Sequence, residues 1–144
     1  MPLKFYGKWK SEVYNDATAG VGIYGTFVLN IPSVIASCEP FEAEMSLHYD
    51  EKSTYKANET INIILEGLYD CSKQDNYRIV MRQGDFDISQ YFTLTLSSNN
   101  KVKWIGYLTC IFPVDMVKLY EVMCESIPIS KIEDINVENI SITI

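Results

Sequence analysis

From Phe41 to Tyr49 the chain alternates without a break. Phe41, Ala43, Met45, Leu47 and Tyr49 fall on one side, and Glu42, Glu44, Ser46 and His48 on the other. Extended backbone sends successive side chains to opposite faces, so a period of two describes a strand with one buried and one wet face. The pattern recurs along the chain. Ile61, Ile63 and Leu65 take the inward positions of the stretch 60–69, and Tyr77, Ile79 and Met81 alternate against Arg78, Val80 and Arg82. The stretches 22–31, 91–96 and 101–112 are likewise β-branched and aromatic. Turn-forming residues separate them, in 50–59, 70–76, Gly84-Asp85, Ser97-Ser98-Asn99-Asn100 and Pro113-Val114-Asp115. About eight to ten short strands at such spacing predict an all-β chain, a single antiparallel barrel or sandwich.

Two segments are less plain. Over 116–123, Met116, Leu119, Tyr120 and Met123 fit a helix stripe, while Met116, Lys118, Tyr120 and Val122 fit one face of a strand. The turn signals before them favour a strand closing on Lys4–Lys10. Ile135 to Ile144 is apolar and free of lysine, arginine and proline, which predicts an additional C-terminal strand. It belongs either inside the domain or against a partner's sheet. Gly7, within the first strand, predicts a bulge or a close backbone approach, and Gly67 predicts a bend or bulge.

The 144 residues make one domain, a barrel-like core over 1–123 with the extra segment at 124–144. A net charge of −7 with only two arginines argues against nucleic acid, whose phosphates call for clustered cations. No stretch reaches the 18 or so apolar residues of a membrane-spanning helix. Met1-Pro2-Leu3-Lys4 has no apolar leader core, which reads as a cytoplasmic protein. A leader already removed would make secretion the alternative. Cys38, Cys71, Cys110 and Cys124 form no C-x-x-C pair and there is one histidine, so no metal site is expected. Free thiols follow from a reducing compartment, whereas Cys38 and Cys71, both in polar turns, can pair in an oxidising one.

The opening Phe5-x-Gly7-x-Trp9-Lys10, with Gly106-Tyr107, Pro113-x-Asp115 and Lys118-Leu119-Tyr120, resembles the first strand and last hairpin of calycin barrels, the superfamily of lipocalins, fatty-acid-binding proteins and avidins. The resemblance implies that Trp9 plugs one barrel end and that a cation returns to cover it, here Lys118. It also implies a site for a carboxylate, since Lys118-x-Tyr120 resembles the Arg-x-Tyr of fatty-acid-binding proteins.

The candidate ligand-binding residues are therefore Trp9, Arg78, Lys118 and Tyr120. Lys118 can instead lie over the Trp9 ring by cation–π attraction, with Tyr120 as core. Arg78 and Arg82, with Val80 between them, can clamp a carboxylate or form a salt-bridged outer face. His48 sits on a polar face without a nucleophile, and no hydrolase, phosphate-loop or zinc-protease motif occurs, so no catalytic residue and no cofactor are expected. Ten tyrosines suit a half-buried sheet and an interface alike. The expected function is a non-catalytic binding module. It would take a small apolar or anionic ligand inside a barrel, or a protein on a tyrosine-bearing sheet face. The alternative is an assembly protein that oligomerises through an edge strand.

Overall fold

The structure is a computed structural model that describes residues 3–11, 22–32, 37–84, 91–112 and 116–128. Eight antiparallel strands follow one another around a closed barrel: β1 Leu3–Ser11, β2 Tyr24–Ile31, β3 Pro40–Tyr49, β4 Thr60–Asp70, β5 Tyr77–Gln83, β6 Tyr91–Ser98, β7 Lys103–Phe112 and β8 Met116–Pro128. Each strand pairs with the next in sequence, and β1 pairs with β8 to close the ring. No helix occurs among the described residues. The expected all-β barrel is what forms, and 116–123 is strand. The Tyr91 strand runs on to Ser98, past the expected loop start, and β8 runs beyond Met123 to Pro128, opposite Leu3, so 124–128 belong to the barrel and not to an additional segment. The expected extra strand over 135–144, the 113–115 turn and the weakly patterned 12–21 lie outside the described residues.

The alternation works as the pleat requires. In β3, Phe41, Ala43, Met45, Leu47 and Tyr49 are buried, while Glu42 and Glu44 are exposed. The inward residues of all eight strands meet in one core that includes Phe5, Trp9, Leu29, Met45, Leu65, Ile79, Phe92, Leu94, Trp104, Tyr120 and Cys124. Eight strands leave an interior that side chains can just fill, and this one receives two tryptophans and several phenols and phenyls.

Neither interior glycine makes a bulge, because the register runs through both. Gly7 faces Phe27 and Cys124, and Gly67 faces Phe41 and Met81. They serve close approach instead. A Cβ on Gly7 would stand 2.5 Å from both the Phe27 ring and Cys124 Cβ, and one on Gly67 would stand 2.1 Å from Val80 O. The absent side chain at Gly7 gives the Phe27 ring its place in the core.

Candidate functional site

The barrel has two ends, each stoppered by a tryptophan. Ser11, Tyr24, Tyr49, Thr60 and Tyr91 mark one end, and Leu3, Ile31, Asp70, Tyr77 and Pro128 the other. At the first, Trp9 is buried and wedged between two tyrosines, its ring centre 4.9 Å from that of Tyr49 and 5.1 Å from that of Tyr120, both edge-on. Edge-to-face packing of this kind stabilises by about 0.5–1.5 kcal/mol per pair beyond area burial. The indole N–H donates to Thr26 O at 3.1 Å. Tyr55, from the β3–β4 connection, stacks its edge 6.0 Å from Tyr49. Burial pushes the Tyr49 and Tyr120 phenols well above the ordinary tyrosine range, reinforced by Cys110 and Tyr55 close by. The same burial pushes the Cys110 thiol up to about 11. A thiol held protonated at neutral pH is a poor nucleophile, and Cys124 is shifted in the same direction.

At the second end Trp104 packs edge-on against Phe5 and Tyr69, each at 5.8 Å. Its indole N–H donates to Ser126 Oγ at 3.0 Å, and the Ser126 hydroxyl donates to Lys101 O. Burial, then Cys71 and Tyr77 nearby, push the Tyr69 phenol up to about 12.

The structure thus brings two of the sequence-derived candidates together. Trp9 and Tyr120 touch, inside the barrel. Lys118 lies in β8 with its backbone opposite Cys110, but its side chain is outside the described residues. Arg78 is elsewhere, exposed on the outer face of β5. Arg82 is outward too and pairs with Glu66 at 3.0 Å. His48, also on the outer face, has Nδ1 2.9 Å from Thr60 Oγ1. No group of His, Cys, Asp and Glu among the described residues is placed to hold a metal ion. Nor is any helix among them long and apolar enough to cross a membrane.

Around Arg78 the outer face is apolar. Leu68 pairs with Val80, Val80 with Thr95 and Thr95 with Tyr107, so the four side chains form one row across β4, β5, β6 and β7. Leu68, Val80 and Tyr107 are about half exposed or more, at 47, 54 and 49%, and so is Ile105. Two shallow grooves run along the row. One is lined by Pro40, Glu66, Leu68, Val80 and Arg82, the other by Arg78, Thr95, Ser97, Ile105 and Tyr107. Strand parity already sets Val80 beside Arg78 and Leu68 opposite Leu65. The signal that sequence reasoning passed over is an apolar residue at a position whose parity is outward, repeated on neighbouring strands. No family model, no curated protein and no solved structure matches the chain.

Proposed function

We propose that this protein is a non-catalytic binding module, calycin-like in architecture, that docks a protein on the outer face of β4–β7. The observation that carries the reading is the exposed row Leu68–Val80–Thr95–Tyr107, with Ile105 and an Arg78 that has no ion pair among the described residues. Contiguous exposed apolar surface rimmed by polar groups marks interaction sites, and tyrosine and arginine are favoured there. Arg78 suits a carboxylate on the partner, which its planar fork can grip in two places. The interior supports the same reading, because Trp9 and Trp104 with their phenolic and phenyl neighbours occupy both ends where a ligand would enter. The assembly alternative meets a closed ring: the eight strands offer one another's edges no vacancy, so edge pairing is left to residues outside them.

Native mass spectrometry of the purified protein, followed by affinity capture with wild type and Val80→Glu, tests the proposal. Val80 is exposed, so the substitution leaves the core intact. The expected result is a chain free of small molecules whose protein partner, or second copy, is lost from Val80→Glu. A stoichiometric small molecule on the purified chain, or a partner retained equally by the variant, would overturn it.

A further inference from the structure

Two of the four cysteines lie at the Trp104 end, on adjoining chain segments. Cys38, in the β2–β3 connection, is exposed, and Cys71, just past β4, packs half-buried against the core. Beyond their last ladder pair, Pro40 with Leu68, the two chain segments stay tied. The Cys38 N–H donates to Tyr69 O at 2.7 Å, and the Cys71 N–H donates to Ser37 Oγ at 3.1 Å. That same hydroxyl lies 3.9 Å from Cys38 Sγ. One serine oxygen therefore touches the thiol of one cysteine and the amide of the other. Cys38 and Cys71 are not a facing pair: the register runs Pro40–Leu68 and the Cys38 N–H meets Tyr69 O, so Cys71 lies one to two residues further along the adjoining segment. A bridge, whose Cα atoms stand roughly 4.4–6.8 Å apart, forms with a local shift of the β2–β3 connection. The other two thiols do not compete. Cys110 is buried towards the Trp9 end, and Cys124 is fully enclosed opposite Gly7.

We propose that Cys38 and Cys71 are a reversible redox pair, which a low-molecular-weight disulfide such as oxidised glutathione converts to an intramolecular bridge. The exposed Cys38 thiolate attacks one glutathione sulfur, breaking its S–S bond and releasing the first glutathione as thiolate. The Cys71 thiolate then attacks Cys38 Sγ, forming the protein disulfide and expelling the second glutathione. Both cysteine protons end on the two glutathiones, and two electrons pass from the protein to the oxidant. The bridge fastens the β2–β3 connection to the end of β4 and shortens the free loops of the unfolded chain. This chemistry is independent of the docking face.

The test incubates reduced, full-length protein with oxidised glutathione, then alkylates and maps peptides by mass. The expected product is two hydrogens lighter than the reduced chain, carries a single peptide link between Cys38 and Cys71, and retains two alkylatable thiols once unfolded. Its urea midpoint is higher than that of the reduced protein and returns on adding dithiothreitol. Cys71→Ser stops at one glutathione on Cys38. Wild-type protein that keeps glutathione adducts, stays at four thiols, or links any other pair would overturn the proposal, and this readout needs no variant to fold.

Discussion

Tyr69, Tyr49 and Tyr120 hold neutral phenols in places where an oxyanion would be costly, and this sets how the protein meets alkali. A phenol whose folded pKa lies above its unfolded value binds its proton more tightly in the native state. Its contribution to stability is complete below the unfolded value, 10.0, and is lost as pH climbs through the folded one, about 12 for Tyr69. Tyr49 and Tyr120 shift in the same direction, from burial first. The urea midpoint is therefore expected to hold steady up to about pH 10 and to fall above it, with part of the tyrosine absorbance change arriving only as the barrel opens. Ten tyrosines titrating together near the ordinary value, with the fold intact, would contradict their burial. That tyrosines were abundant was plain from composition. Which of them would be interior followed from parity for Tyr49, because β3 alternates cleanly. It did not follow for Tyr107, which shares β7 with Trp104 but faces out, because that strand is apolar on both sides.

Each strand is fastened by more than its ladder. β7 and β8 are joined through Trp104, whose N–H reaches Ser126, and Ser126 in turn reaches Lys101 in the β6–β7 turn. Ser126→Ala removes both bonds and leaves a buried indole N–H without its partner. The expected cost is about 1–3 kcal/mol, read as a lower urea midpoint at unchanged slope. A midpoint equal to wild type would mean that the indole N–H finds another acceptor. The β8 segment from Cys124 on escaped sequence reasoning for a physical reason. Glu125-Ser126 looks like a polar turn, yet these residues lie on a ladder between β1 and β7, and Ser126 is polar because it terminates a tryptophan hydrogen bond. Gly7, by contrast, was legible as a place of close approach, although only the structure names Phe27 as the ring that uses the space.

At the level of the whole molecule, the ring is complete between Leu3 and Pro128. A chain ending after Pro128 keeps every described strand, and it is expected to unfold in a single cooperative urea transition with native-like near-ultraviolet dichroism. Loss of that transition would show that 129–144 belongs to the core. The all-β class was readable because a period of two, repeated between turn residues, has few other solutions, whereas the strand number was bounded only to about eight to ten. The binding face was less readable, since an outward valine on one strand means little until register lines it up with Leu68 and Tyr107 on others.

Closure through β1 and β8 also places Leu3 directly beside Pro128, on paired strands. For an up-and-down ring this means that the order of strands along the chain is a matter of where the ribbon happens to be cut. A peptide linker of a few residues can join 128 to 3, and new termini can open in the 71–76 or 99–102 connection, without moving any strand from its neighbours. Such a circular permutant would exchange which pair of strands must find each other last. In the natural order that pair is β1 and β8, separated by nearly the whole chain, and long-range closure of this kind slows folding. Cutting the ribbon elsewhere makes that pairing local and hands the distant closure to the two strands beside the new termini, so the place of the cut decides which ladder must form across the longest stretch of chain.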